Sequence, residues 1–336
     1  MFAALICAGI FCYALFYGII LCVIDCDLLL AFNEKFGKSI SHLKGKVVFI
    51  TGASSGIGKH TALALAEHGV KLVLAARRQA TLEQVKAQCL AVAKGSLTPN
   101  DVLILQMDML DMASHKKQFE TALAHFGHID ILLNNAGRSQ RAEWDSIDIE
   151  VDKELFELNV FSVINLTRVA LKYFNTKGEG HVAVTSSVAG FVSVPFSASY
   201  TGAKHALHGY YNSLRIEKLN SKTDLTVSVI CPGPTHSEFL NECFTGTSGE
   251  KYGINSKATD RRMTGERCGH LCAVALANKS REAWLCIFPV LHFSYIFVYF
   301  PLATHLIMKV AGTQRFFKFR EGTEPAVLTE ESPLLD

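Results

Sequence analysis

From about residue 46 the chain alternates short apolar runs with longer stretches in which apolar positions recur every three or four residues. The short runs are Lys46–Thr51, Lys71–Ala76, Val102–Asp108, Ile129–Asn134, His181–Ser187, Leu225–Cys231 and Ala283–Phe288. They are apolar almost throughout rather than alternating, the pattern of strands covered on both faces. Between most of them lie stretches with helical periodicity, such as Gly58–His68 and Asp111–His125. Seven such strands joined by helices predict an α/β fold: a doubly wound, parallel, seven-stranded sheet of the Rossmann type in one domain over 46–290. The stretch Pro234 to Thr264 breaks the pattern. It is rich in Gly, Ser, Thr and Asn, and a loop of that length inside a domain is usually functional or disordered.

The two ends of the chain read differently. Phe2 to Ile24 carries no charged side chain. A helix of that length rises about 34 Å, enough for the ~30 Å hydrocarbon core of a bilayer. Only Met1 precedes the run, and Asp25 and Asp27 follow it, so the basic start of a cleaved signal is missing. The expectation is a single retained membrane anchor over 1–28, then a polar linker over 29–45. Lysines 35, 38, 44 and 46 all follow the span. They favour a cytoplasmic catalytic domain without settling its side. Leu285 to Met308 again lacks Asp, Glu, Lys and Arg, but it contains Pro289, His292, Pro301 and His305. These favour an apolar segment docked at the bilayer surface or on the domain over a second crossing. Residues 291–318 are therefore read as membrane-associated and 319–336 as a polar tail.

Composition narrows the classes. Among 336 residues the formal net charge is +2, with both signs scattered along the chain, so nucleic acid is not an expected partner. The mean hydropathy of +0.22 is high for a soluble chain, and the excess sits at the two ends. Ten cysteines in a chain this long do not form a disulfide scaffold. Cys268 and Cys272 flank His270 with the wrong spacing for zinc, and no metal site is expected. Lipidation of Cys22 or Cys26 would rest on position alone. Asn165-Leu166-Thr167 fits a glycosylation pattern on a helix expected to pack in the domain. Glu330-Glu331-Ser332-Pro333-Leu334-Leu335 fits a sorting pattern that is common in polar tails.

The first strand runs directly into Thr51-Gly52-Ala53-Ser54-Ser55-Gly56-Ile57-Gly58, and a helix follows. Glycines at this place let the chain turn off the strand, let backbone approach a pyrophosphate, and let helix pack on sheet. The helix N-terminus offers unpaired N–H groups to phosphate. Gly52, Ser54, Gly56, Ile57 and Gly58 are thus candidate cofactor-binding residues. A phosphate-loop nucleotidase would need four residues between its glycines and Lys-Ser or Lys-Thr after the last. Here Gly58-Lys59 is followed by His60. The second strand ends in Ala75-Ala76-Arg77-Arg78, where NAD sites place a carboxylate. Arginine's planar fork suits a 2′-phosphate, so Arg77 points to NADP, with NAD as the alternative.

Tyr200 and Lys204 stand four residues apart on an expected helix and share one face. A phenol with a pKa near 10 is a poor acid–base catalyst at neutral pH, and a nearby ammonium stabilises its phenolate. Ser187, at the end of the fifth strand, can donate a hydrogen bond to a substrate oxygen as charge builds there.

The glycine loop, Asn134-Asn135-Ala136-Gly137, Ser187, Tyr200-Thr201-Gly202-Ala203-Lys204 and Pro232-Gly233 follow one another in an order and spacing that resemble the short-chain dehydrogenase/reductase family over residues 46 to 290. The N-terminal run and the aromatic tail are similar to those of a membrane-bound branch, with the membrane-bound hydroxysteroid dehydrogenases nearby. The resemblance implies a catalytic set of Asn159, Ser187, Tyr200 and Lys204, with Lys204 also holding the nicotinamide ribose. It further implies Asp108 near the adenine, Asn135 beside the ribose, Pro232 and Thr235 near the nicotinamide, and Ser54 facing the pyrophosphate. One departure stands out, because some NADP-using members carry a basic residue where this chain has Ser55. The implied activity is carbonyl–alcohol interconversion on a lipophilic substrate such as a steroid or retinoid, at a membrane and specifically the endoplasmic reticulum. Pairing into homodimers through the helices carrying Asn159 and Tyr200 is also implied. An NAD-linked alcohol dehydrogenase and a non-catalytic cofactor-binding membrane protein remain as alternatives.

Overall fold

The structure, a computed structural model, describes residues 9, 17–20, 22–257 and 259–312. Strands β1 (Val47–Thr51), β2 (Lys71–Ala76), β3 (Val102–Gln106), β4 (Ile131–Asn134), β5 (Glu179–Thr185), β6 (Asp224–Pro232) and β7 (Glu282–Leu285) form one sheet, ordered β3-β2-β1-β4-β5-β6-β7. Every pairing is parallel. All seven expected strands are present. The third ends two residues early, because the chain turns at Asp108, whose carboxylate accepts from the Leu110 N–H at 3.0 Å.

Alternation within each strand feeds two separate cores. Val48, Ile50, Leu72 and Leu74 pack against helices α2 (Gly56–Glu67), α3 (Gln79–Val92) and, later in the chain, α8 (Gly265–Ala277). Val47, Phe49, Val73 and Ala75 face the other way, toward α4 (His115–Phe126), α6 (Ser162–Lys177) and α7 (Ala198–Lys218). Helix α5 (Ile149–Phe156) runs into α6 through a π-helical turn, Glu157–Phe161, which carries Asn159. Such turns are uncommon and cluster at functional sites. Asn165 lies within α6, where its amide donates to Met112 O at 3.1 Å, in keeping with a helix packed in the domain.

The segment expected as a linker is instead structured. Residues Leu28–Phe36 form helix α1, capped by Asp27, whose carboxylate accepts from the Leu30 N–H at 2.9 Å. The same carboxylate accepts from the Trp284 N–H at 2.7 Å, while the Asp27 N–H donates to Trp284 O at 2.9 Å. Residues beyond the apolar run thus cover the open edge of β7, the usual remedy for an exposed edge strand. Arg267 of α8 forks onto Asp25 with bonds of 2.7 and 2.8 Å, and also bonds both carboxylate oxygens of Glu34. Cys26, between these anchors, is buried.

The C-terminal apolar stretch forms two short helices, α9 (Val290–Tyr299) and α10 (Pro301–Ala311). Among the described residues no helix is long and apolar enough to cross a membrane. Most of the N-terminal run lies outside the described residues, as do the polar tail and its 330–335 pattern.

Candidate active site

A cavity of about 500 Å³ opens along the C-terminal ends of the strands, across the point where the chain order reverses between β1 and β4. Open α/β sheets bind ligands at such switch points. At one end its wall contains Gly52, Ser54, Gly56, Ile57 and Arg77. At the other it contains Ser187, Tyr200, Lys204, Pro232 and Thr235, with Asn135 between.

The glycines are required by geometry. Gly52 has φ +65° and Gly56 φ +53°, conformations disfavoured for other residues. A Cβ on Gly58 would lie 2.4 Å from Asn135 Nδ2 and 2.5 Å from Gly52 O. Gly58 therefore does not line the cavity; it lets helix α2 close on the loop. The N-cap Ser55 makes no side-chain cap hydrogen bond, which leaves the first-turn N–H groups of α2 for an anion. This cradle, together with the length of the cavity, fits a dinucleotide.

Asn135 lines the cavity, and its side-chain amide is engaged by the ends of neighbouring strands. Nδ2 donates to Thr51 O at 3.0 Å and Oδ1 accepts from Thr185 Oγ1 at 3.2 Å, tying the ends of β1 and β5 to β4. Asn134, to which no separate role is assigned above, donates to Thr167 Oγ1 and Tyr211 OH, each at 3.0 Å.

At the end of β2 both arginines line the cavity. Sequence reasoning singled out Arg77. The structure adds Arg78, whose Nη2 lies 3.5 Å from Ser54 Oγ and 3.8 Å from Glu238 Oε2. Asp108 is exposed and its carboxylate is folded back on Leu110, while its neighbours Met107 and Met109 line the cavity. The buried imidazole of His115 holds Met109 O at 2.9 Å. Burial pushes the His115 pKa down, so the ring is neutral. No motif marks these methionines; alternation along a turn gives no signal for which residue faces inward.

The 3-10 turn after β5 presents Ser187, whose Oγ accepts from the Ala189 N–H at 3.1 Å and donates to Pro232 O at 3.3 Å. On α7 Tyr200 and Lys204 are both nearly buried, with Lys204 Nζ 5.6 Å from the Tyr200 ring centroid. Lys204 donates to Thr185 O at 2.8 Å, and burial pushes its pKa down to about 8. Its charge is thus weakly held near neutral pH.

Asn159 is fully buried and does not line the cavity. Oδ1 accepts from the Arg138 N–H at 2.9 Å and Nδ2 donates to Arg138 O at 2.7 Å. A Cβ on Gly137 would meet Asn159 Oδ1 at 3.0 Å and Lys204 Nζ at 3.7 Å. The side chain of Asn159 therefore fixes the strand of backbone that lies against Lys204.

The substrate half is lined by Val188, Val192, Val194, Phe239, Leu240 and, from α9, Val290 and Phe293. The aromatic stretch that forms α9 is expected from the sequence to help build a lipophilic pocket, but no residue within it is singled out there. Within the irregular stretch 234–264, Phe244 bridges to Gln140 and to Lys251, which holds this wall against the segment after β4.

A glycine cradle at a Rossmann switch point joined to a buried Ser–Tyr–Lys group defines a nucleotide-dependent oxidoreductase of one family. The short chain dehydrogenase profile matches residues 46–247, and the chain belongs to the short-chain dehydrogenase/reductase family. It is an enzyme acting on CH–OH donors with NAD(P) as acceptor. It is 37% identical to human dehydrogenase/reductase SDR family member 7 over 301 residues, covering 89% of this chain and 88% of the human protein. The mouse protein of that name is 36% identical over 302 residues, covering 90% and 88%. A Drosophila melanogaster SDR family protein 7-like is 36% identical over 242 residues, covering 72% and 73%. Among solved structures, an alcohol dehydrogenase from Thermococcus sibiricus complexed with 5-hydroxy-NADP superposes with a TM-score of 0.62 at 23% identity, covering 73% of this chain and 97% of that one. A Brucella melitensis 3-ketoacyl-(acyl-carrier-protein) reductase complexed with NADH gives 0.59 at 24% identity, covering 69% and 91%. These two share the fold, and one was solved with each type of cofactor.

Proposed function

We propose that the protein is a membrane-anchored, NADP(H)-dependent oxidoreductase of the endoplasmic reticulum that interconverts a carbonyl and an alcohol on a lipophilic substrate such as a steroid or retinoid. The observation that carries this reading is one continuous cavity. It runs from Arg77 and Arg78, past the glycine loop, to Ser187 and Tyr200 beneath an apolar wall. Two arginines and no carboxylate at the end of β2 support a 2′-phosphate over a bare ribose hydroxyl.

When bound, a nicotinamide dinucleotide supplies or accepts the hydride. Ser187 donates a hydrogen bond to the substrate oxygen, orienting the carbonyl and stabilising negative charge as it develops. Tyr200 gives that oxygen its proton in reduction and removes it in oxidation. The ammonium of Lys204 stabilises the resulting phenolate, and the packing of Asn159 and Gly137 keeps that lysine in place. Val188, Val192, Phe239 and Phe293 exclude water and favour an apolar substrate body.

The test is NADPH and NADH oxidation by the detergent-solubilised full chain against a panel of lipophilic carbonyls, beside Tyr200→Phe and Arg77→Asp. The expected result is turnover faster with NADPH, lost in Tyr200→Phe, and shifted toward NADH in Arg77→Asp. An unchanged cofactor ratio in Arg77→Asp would remove the NADP assignment. Cofactor binding without turnover across the panel would remove the lipophilic-carbonyl assignment.

A further inference from the structure

Helix α10 is a helix without a core. Leu302, Leu306 and Val310 are 88%, 62% and 77% exposed, and no residue of the helix with a described side chain is buried. Val298, Tyr299 and Phe300, at the junction with α9, extend the same exposed apolar surface. Contiguous apolar surfaces of this extent mark a binding partner rather than water. Eleven residues span about 16 Å, roughly half the hydrocarbon thickness, so the helix can lie in a membrane surface but not cross it.

Two observations choose the partner. Helix α9 touches the end of the uncharged N-terminal run: Tyr295 meets Tyr17 edge-on at 6.0 Å, and His292 Nε2 lies 3.3 Å from Gly18 O. Ile19 and Val23 on that run are themselves 56% and 82% exposed, so the two apolar surfaces adjoin. As far as Arg320 the charges that follow them in the sequence have one sign, and from Glu321 on the tail is acidic. Lys309, Arg315, Lys318 and Arg320 follow in the sequence, with no Asp or Glu between Glu282 and Glu321. Basic residues next to an apolar helix match anionic headgroups.

We infer that helices α9 and α10 are a second membrane-contact element, seated in one leaflet of an anionic phospholipid bilayer beside the entry of the N-terminal run. This rests on the membrane-anchored reading and deepens it. Val290, Phe293 and Ser294 of α9 line the cavity. Seating the pair therefore fixes the apolar wall of the site at the bilayer surface, where a lipophilic carbonyl is concentrated. Residues 25–36 are bonded to α8 and β7, so the domain is held against the membrane at both places rather than swinging on a tether.

The experiment is photolabelling of the full chain in vesicles of phosphatidylcholine and phosphatidylserine. The probe is a phosphatidylcholine bearing a diazirine at the end of one acyl chain, and adducts are mapped by mass spectrometry. Leu302, Leu306 and Val310 should be labelled roughly tenfold more than Trp144 and Ile149, apolar residues exposed elsewhere on the domain. A Leu302→Glu, Leu306→Glu variant should lose the α10 adducts while keeping those on residues 2–24. Vesicles lacking phosphatidylserine should reduce α10 labelling several-fold; equal labelling would overturn the headgroup part. Adducts on the N-terminal run with α10 no more labelled than Trp144 would overturn the inference while leaving the anchor intact. Disulfide-linked dimers of Leu306→Cys, with no lipid adducts on α10, would overturn it in favour of a second copy. Absence of adducts on both segments would overturn the anchor as well, and NADPH turnover in detergent would then still stand or fall separately.

Discussion

Replacing Arg267 by Met tests whether residues 25–36 belong to the domain or merely tether it. Arg267 makes four hydrogen bonds to two carboxylates, Asp25 and Glu34, across more than two hundred residues of chain. Charge-assisted bonds contribute about 1.5–3 kcal/mol each when dry. The side chains here are 33%, 29% and 23% exposed, so solvent screening removes much of that. The net loss should be about 2–3 kcal/mol, part of it from two carboxylates left facing each other without the cation. In a domain of this size that lowers Tm by about 5–10 °C. Thermal unfolding of the full chain in detergent at pH 7 reads it directly. Neutralising the carboxylates in the same background, with Asp25→Asn and Glu34→Gln, should recover at least half the loss. The hydrogen bonds from Arg267 hold the Glu34 carboxyl below its usual range. Its contribution is therefore present above the unfolded pKa and lost as pH falls through the folded one, so wild type and variant should converge in acid. A Tm change under ~1 °C would mean an exposed pair of no consequence and would return residues 25–36 to the status of a tether.

Two further expectations concern the core of the domain and the site. Asp130 is buried, accepts from the Val47 N–H at 2.9 Å and pairs with Lys177 at 2.8 Å and Lys46 at 3.3 Å. Burial raises its pKa, but these partners outweigh burial and hold it below the usual range. Asp130→Asn should cost about 2–4 kcal/mol in urea unfolding at pH 7 and flatten the loss of stability as pH falls below ~4; an unchanged acid limb would refute the assignment. For Lys204, Nζ lies 5.6 Å from the centre of the Tyr200 ring, close enough for its charge to favour the phenolate. Lys204→Met should move the tyrosine-dependent limb of the pH–rate profile up and lower kcat/KM roughly a hundredfold near neutrality. A profile unmoved on the pH axis would show that the lysine acts only in binding.

Local patterns carried most of the fold and the candidate site residues. Strands buried on both faces announce themselves as unbroken apolar runs, the glycine loop by its position between strand and helix, and Tyr200 and Lys204 by a four-residue spacing. Each of these depends on neighbours in sequence, and so each is legible there. What tertiary structure alone decided depends on partners far along the chain. The polar composition of 29–45 reads as a linker because Arg267 and Asn278, which hold Glu34 and Lys38, lie about 230 to 240 residues away. At the end of β2 two adjacent arginines are equivalent in sequence, and only the path of the chain brings Arg78 to Ser54 and Glu238. The turn after β3 sends Asp108 outward and Met107 and Met109 inward, a choice made by His115 and the backbone rather than by residue type. Likewise α9 reads as a tail, yet it closes the cavity wall because packing on Trp284 and the N-terminal run brings it there. Hydrophobic periodicity states that a surface must be buried; which surface covers it is settled only when the whole chain is assembled.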